Sequence, residues 1–277
     1  MLHAPIPGLS TVADRYDAIL CDVWGVLHDG LAPYEGAVDA LRRFRARGPV
    51  VLVTNAARTS DSVAAQLADI GVDPATYDDI VSSGDVVRQH LLEEAYGAIL
   101  HIGPEREHPV FHGTTARLVD HVDEADCVVV TALKHWSHTP DHYRDAVEAM
   151  AARQLPFVCA NPDVIVDNAG RRIFCPGSLA KIYDDAGGTT RHFGKPHAPI
   201  YREALSRLGR QDVEAARILA IGDALATDVT GANRQGFGAY FVTGGIHAGE
   251  FGDDAALTER LSAEGLAVDH ASDRLVW

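Results

Sequence analysis

The chain has 277 residues, enough for one large domain or two smaller ones. Hydrophobic residues make up 47% and charged residues 23%, a globular balance that excludes wholesale disorder and a fibrous repeat. With 24 Lys and Arg against 39 Asp and Glu, the formal charge is −15. So acidic a chain is a poor general binder of nucleic acid, and an anionic substrate needs a local device: a metal ion, a lysine or a ring of backbone N–H groups.

In chain order, an apolar run at 18–24 predicts the first strand. A helix over 36–47 follows, with Ala37, Val38, Leu41 and Phe44 on one face and its arginines largely outside. A second strand is predicted at 50–54. The next helix, 60–70, opens on Ser60-Asp61 and stops before Gly71, as a capped helix should. Then come a helix at 85–94, strands at 98–102 and 127–131, a helix at 141–152 and a strand at 157–160. A helix at 199–208, strands at 218–221 and 239–242 and a helix at 254–263 complete the series. The strands are short and rich in Val, Ile and Leu, as strands buried on both faces are. Their alternation with helices predicts an α/β fold with a mainly parallel sheet. Gly187-Gly188-Thr189-Thr190 reads as a hinge, and a second boundary is expected near Ser82-Ser83-Gly84.

No run of 18 apolar residues occurs, and Met1-Leu2-His3-Ala4-Pro5 does not begin a secretory signal. The four cysteines (Cys21, Cys127, Cys159, Cys175) form no C-x-x-C pair, and three sit inside apolar runs. A cytoplasmic protein with buried free thiols, no membrane partner and no nucleic-acid partner is expected.

Sites on open parallel sheets lie beyond the carboxyl ends of the strands. The strand at 18–24 delivers Asp22, then Trp24-Gly25-Val26; the strand at 50–54 delivers Thr54-Asn55; the strand at 218–221 delivers Gly222-Asp223 and, five residues later, Asp228. Gly194-Lys195-Pro196 precedes the helix near Pro199. Taken singly, each has a plain structural reading: Thr54 and Asn55 cap a turn, and Asp228 favours a helix N-terminus. Four such features in this order are a stronger signal.

Asp22-Val23-Trp24-Gly25-Val26-Leu27, the run into Thr54-Asn55, Gly194-Lys195-Pro196 and Gly222-Asp223-x-x-x-Thr227-Asp228 resemble the four motifs of the haloacid dehalogenase (HAD) superfamily. The spacing resembles its class IIA branch, which holds phosphatases of nitrophenyl phosphate, nucleotides and other small phosphate esters. Asn161-Pro162-Asp163 matches a tripeptide of the class IIA cap, and Pro176-Gly177-Ser178-Leu179 resembles its turn into a helix. The resemblance implies a doubly wound parallel-sheet core over 1–84 and 191–277, with an inserted α/β cap over 85–190. It also implies a Mg²⁺-dependent phosphohydrolase acting on a small phosphorylated metabolite, with a homodimer as one possible assembly.

By that resemblance Asp22 attacks phosphorus and forms an aspartyl-phosphate. Asp22, Asp223, Asp228 and the main-chain carbonyl of Trp24 hold Mg²⁺. Thr54, the Asn55 backbone N–H and Lys195 hold the phosphoryl oxygens, and Asn161 joins the substrate-binding set. Carboxylates and carbonyls are the hard oxygen ligands Mg²⁺ requires, and phosphoryl transfer needs neutralisation and alignment above all.

One position breaks the pattern. Relatives carry a second Asp two residues after the nucleophile as general acid and base; here that residue is Trp24. An indole N–H cannot shuttle protons at neutral pH. Three readings stand: a substitute acid/base, with His28 and Asp29 nearest in sequence and His135 or His138 of the cap as others; a phosphohydrolase restricted to good leaving groups; or a phosphometabolite-binding protein of the same fold. The cluster His135, His138 and His142 reads as a polar loop, because Pro140 interrupts any helix that would align it.

Overall fold

The computed structural model describes residues 5–168, 171–209, 213–245 and 254–277. Its strands are β1 (Ala18–Cys21), β2 (Val50–Thr54), β3 (Asp79–Ser82), β4 (Ala98–Ile102), β5 (Arg117–Val119), β6 (Cys127–Val130), β7 (Phe157–Cys159), β8 (Ile165–Asn168), β9 (Arg171–Phe174), β10 (Thr190–His192), β11 (Ile218–Gly222), β12 (Gly238–Val242) and β13 (His270–Ser272). The helices are α1 (Glu35–Arg45), α2 (Ser60–Asp69), α3 (Ser83–Glu94), α4 (Arg144–Ala152), α5 (Pro176–Asp185), α6 (Ala198–Arg207), α7 (Thr230–Gln235) and α8 (Asp254–Ala263). The chain divides into two compact units, one of residues 1–54, 64–81 and 201–277 and the other of 55–63 and 82–200. These bounds differ from the expected 1–84 with 191–277 and 85–190: the second unit takes in 85–190 and also 55–63, 82–84 and 191–200.

The first unit is built on a six-stranded sheet in the order β13-β12-β11-β1-β2-β3. β1 pairs in parallel with both β2 and β11, and β12 and β13 continue the parallel run. Every residue of β1, β2, β11 and β12 is buried, which is why these strands are continuous apolar runs without alternation. The chain leaves β1 toward β2 and β3 on one side and later fills β11, β12 and β13 on the other. β1 and β11 therefore flank the topological switch point, where the carboxyl ends of a doubly wound sheet part to expose a crevice. α1 buries Ala37, Val38, Leu41 and Phe44 as its periodicity predicts, and Ala40 besides.

The second unit has its own parallel sheet, in the order β10-β7-β6-β4-β5. Alternate residues of β6 serve opposite faces. Val128 and Val130 pack with Val147, Met150, Leu179 and Tyr183 of α4 and α5. Cys127 and Val129 pack with Val87 and Leu91 of α3. Tyr183 stacks on Phe157 at 4.4 Å between ring centroids and donates its hydroxyl to the Leu155 carbonyl. β8 and β9 form an antiparallel pair.

The first strand ends at Cys21, short of the expected residue 24, because the chain turns out of the sheet at Asp22 to build a loop. The helix expected from residue 141 opens as a 3₁₀ turn over Pro140–Tyr143, capped by Thr139, and becomes α-helical only at Arg144. The expected hinge at 187–190 is a tight turn from α5 into β10 inside the second unit, with Gly187 at φ +87°. β3, β5, β8, β9 and β13 and the short α7 were not expected as elements. Among the described residues no helix is long and apolar enough to cross a membrane.

Candidate active site

Two adjacent strand ends converge at the switch point. The Asp22 N–H donates to the Ile221 carbonyl at 2.8 Å, so the residues following β1 and β11 start side by side. Beyond Asp22 the loop folds on itself. The Val23 carbonyl accepts from Leu27 N–H at 2.9 Å, the His28 carbonyl accepts from Gly25 N–H at 2.9 Å, and Tyr34 N–H returns to the Leu27 carbonyl at 2.8 Å. Gly25 has φ +84°, and a Cβ there would overlap the Asp223 carboxylate, so the position requires glycine. Asp223 follows β11 and is almost completely buried.

Asp228 enters from a π-helical turn over Leu225–Val229 that leads into α7. Such turns occur frequently at functional sites. The Asp228 carboxylate accepts from Ala224 N–H at 3.2 Å, and a side chain at Gly222 would collide with it. Asp22, Asp223 and Asp228 are all buried, and one oxygen of each lies within 4.8 Å of the others. Three buried carboxylates this close repel one another unless a cation or protons intervene. An all-oxygen anionic donor set fits a hard divalent ion such as Mg²⁺ or Ca²⁺ and suits soft metals poorly.

Trp24, the residue in place of the expected acid/base, is half-buried and packs edge-to-face on His28, with ring centroids 5.2 Å apart. A side chain at Gly30 would strike the Trp24 ring, so the loop is shaped around the indole. His28 is buried, and its Nδ1 accepts from Gly30 N–H at 2.8 Å. That bond places the proton of the neutral imidazole on Nε2. Asp29 is exposed. Its carboxylate accepts from Leu31 and Ala32 N–H at 2.8 and 3.0 Å, and these bonds, Ala32 first, hold it below the usual carboxylate range. An exposed carboxylate kept ionised by a turn is a weak general acid.

Thr54 ends β2 and is buried. Asn55, next in the chain, belongs to the second unit, and so does Lys195, which is 4% exposed. The Asn55 side chain clamps the Lys195 main chain: Oδ1 accepts from Lys195 N–H at 2.7 Å, and Nδ2 donates to the Lys195 carbonyl at 3.2 Å. A Cβ at Gly194 would come within 2.5 Å of Asn55 Oδ1 and 2.6 Å of Pro162 Cδ, which accounts for glycine before the lysine. Asn55 Nδ2 also donates to Asp163 Oδ1 at 3.0 Å. Asn161, expected to bind substrate, turns its side-chain oxygen inward to accept from Asp163 N–H at 2.9 Å. The contact to the Asn55 amide comes from Asp163, the third residue of the Asn161-Pro162-Asp163 tripeptide.

The histidines at 135, 138 and 142 hydrogen-bond to neighbours on their own loop. His138 and His142 stack at 4.7 Å, His138 Nδ1 hydrogen-bonds to Tyr143 Oη, His142 Nδ1 to the Thr139 N–H and His135 Nδ1 to Ser137 Oγ. Among the described residues, the group arranged to hold an ion is the aspartate trio.

A haloacid dehalogenase-like hydrolase family profile matches residues 19–115, and a HAD-hydrolase-like profile matches residues 192–267. The chain is 40% identical to a haloacid dehalogenase-like hydrolase from Brucella suis 1330 of known structure, covering 98% of this chain and 100% of that one, with a TM-score of 0.86. It is 31% identical over 246 residues to the D-glycerol 3-phosphate phosphatase of Mycobacterium tuberculosis (strain ATCC 25618 / H37Rv). That match takes in 87% of this chain and spans 66% of the relative's length. A glycerol phosphate phosphatase from Mycobacterium tuberculosis, solved in complex with magnesium, is 28% identical over 85% of this chain and 70% of its own, with a TM-score of 0.65; its calcium complex gives a TM-score of 0.66.

Proposed function

Given that this chain belongs to the haloacid dehalogenase-like hydrolase family, we propose that it is a Mg²⁺-dependent phosphatase of a small phosphorylated metabolite, with Asp22 as nucleophile. The observation that carries the reading is the convergence of Asp22, Asp223 and Asp228, all buried, at the carboxyl ends of β1 and β11. The solved mycobacterial complexes with magnesium and calcium support a divalent ion of this kind. The four cysteines, all buried and free, fit a reducing cytoplasm.

Asp22, Asp223 and Asp228 would hold the ion, with the Trp24 carbonyl as a further ligand by resemblance. Bound there, a divalent cation offsets the carboxylate charge and draws electron density from the phosphoryl oxygens. An Asp22 oxygen forms a bond to phosphorus as the ester P–O bond breaks, and the leaving oxygen departs with its electron pair. Water then attacks the aspartyl-phosphate and releases inorganic phosphate. By resemblance, the Thr54 hydroxyl and the Asn55 N–H would donate to phosphoryl oxygens, and the Lys195 ammonium would offset their negative charge.

Trp24 leaves the departing oxygen without the usual proton donor. General acid catalysis is worth about 10²–10⁴-fold, so its loss weighs most on alkyl esters, whose leaving groups are strong bases. Of the two nearby substitutes His28 is the better placed chemically, since its proton sits on Nε2 and Asp29 is tied into an exposed turn. Trp24 also favours a second reading, a phosphometabolite-binding protein with impaired turnover.

The leaving group separates these readings. Steady-state rates are measured for 4-nitrophenyl phosphate and for glycerol 3-phosphate, the alkyl ester in the name of the 31% identical relative. Turnover of both with Mg²⁺ supports a substitute acid, and its loss for the alkyl ester alone in His28→Ala assigns that acid. Turnover of the aryl ester alone supports a phosphatase of good leaving groups. Binding of phosphate with turnover of neither favours the binder.

A further inference from the structure

Asn55 lies between Asp163 and the main chain of Lys195, all three within the second unit. Its amide has one acceptor and two donor positions engaged: Oδ1 receives Lys195 N–H, and Nδ2 donates to the Lys195 carbonyl and to Asp163 Oδ1. We propose that Asp163 is a positioning residue for phosphate binding: through the Asn55 amide it fixes the backbone that aims Lys195. The inference rests on the phosphatase reading and gives one of its site residues a specific support.

The physical argument concerns which way the amide faces. A primary amide can turn over by 180° with little change in shape, exchanging oxygen for nitrogen. Flipped, Asn55 would oppose two donors at Lys195 N–H and two acceptors at the Lys195 carbonyl. An Asp163 carboxylate accepts only, so it adds a third, charge-assisted preference for the unflipped amide. Asp163 is itself held. Its N–H donates to Asn161 Oδ1 at 2.9 Å, and Gly177 N–H donates to the carbonyls of Asn161 and Asp163 at 3.0 and 3.1 Å. A side chain at Gly177 would collide with the Pro162 carbonyl, so the turn into α5 packs closely on this tripeptide. The result is a strut from the α5 turn through Asp163 and Asn55 to the peptide carrying Lys195. Buried lysines have long, flexible stems, and a fixed main chain removes one source of that freedom.

The test is a double-mutant cycle on the full chain, read by kcat/KM for 4-nitrophenyl phosphate and by the inhibition constant of inorganic phosphate. Asp163→Ala and Asn55→Ala are each expected to weaken both by about 10- to 100-fold, the scale of a misplaced binding group. The double variant is expected to be no worse than the weaker single one, because both act through one contact. Asp163→Asn, which keeps an acceptor oxygen, recovers most of the loss. Asn55→Asp, of equal size, sets a carboxylate against Asp163 and the Lys195 carbonyl and falls at least as far as Asn55→Ala. Should Asp163→Ala not fold, Asp163→Ser, too short to reach the amide, takes its place in the cycle. Additive losses, or an unaltered phosphate inhibition constant in Asp163→Ala, would overturn the inference while the phosphatase reading stands. An unsubstituted protein that neither turns over the ester nor binds phosphate overturns both.

Discussion

Gly25 and Asp223 are packed so closely that one added methyl group would displace the carboxylate. A Cβ at Gly25 would lie 2.8 Å from Asp223 Cγ, and a Cβ at Gly245 would lie 2.7 Å from the same atom on another approach. Two glycines thus confine the side chain that follows β11. Gly25→Ala carries a second penalty from φ +84°, worth about 1–2 kcal/mol for a residue with a Cβ. The substitution is expected to lower kcat/KM for 4-nitrophenyl phosphate by about 10²-fold and to abolish the rise in melting temperature on adding Mg²⁺. A variant that melts lower but keeps the full Mg²⁺-induced rise would show that Asp223 does not depend on this contact.

Asp228 offers a test of the charge argument. Asp228→Asn keeps an oxygen for the Ala224 N–H but removes one of three neighbouring buried charges. Like charges about 4 Å apart repel by about 4 kcal/mol at the effective dielectric of a protein surface. The variant should melt higher than the unsubstituted protein in EDTA and gain less from Mg²⁺. Thermal unfolding with EDTA and with Mg²⁺ checks both; a variant less stable in EDTA and equally responsive to Mg²⁺ would contradict the shared ion site.

His101 gives the fold a pH dependence away from the aspartates. Burial, then the neighbouring His108 and Lys134 charges, pushes its imidazole down from 6.5 to about 4, and its Nε2 hydrogen-bonds to Thr131 Oγ1 at 2.8 Å. The folded state keeps the ring neutral where the unfolded chain would protonate it. Stability contributed by this group is therefore intact above pH 6.5 and declines as the pH falls toward about 4. Urea midpoints measured across that window should fall less steeply in His101→Gln than in the unsubstituted protein. Equal slopes would remove His101 from the account.

The legible parts of this molecule were those written in contiguous sequence. The Val50–Thr54 strand matches its expected span because five buried apolar or β-branched residues run between Gly48-Pro49 and Asn55. β5 and β13 were not legible, since Arg-Leu-Val and His-Ala-Ser are three residues long and have no periodicity to read. The aspartate trio was expected together because each member follows the β1 or β11 strand end at short range. The Asp163–Asn55 contact joins residues 108 apart, and no local pattern distinguishes Asp163 from Asn161 as the acceptor for the Asn55 amide. Trp24 was legible as a departure from the family pattern, but its packing on His28 and Gly30 required the folded loop.

The most direct measurement is steady-state hydrolysis of 4-nitrophenyl phosphate by the unsubstituted protein and by Asp22→Asn, each with Mg²⁺ and with EDTA. The account predicts turnover that EDTA abolishes and excess Mg²⁺ restores, and a loss of about 10³-fold or more when the nucleophile becomes an amide. An Asp22→Asn variant that hydrolyses the ester as fast as the unsubstituted protein would contradict it.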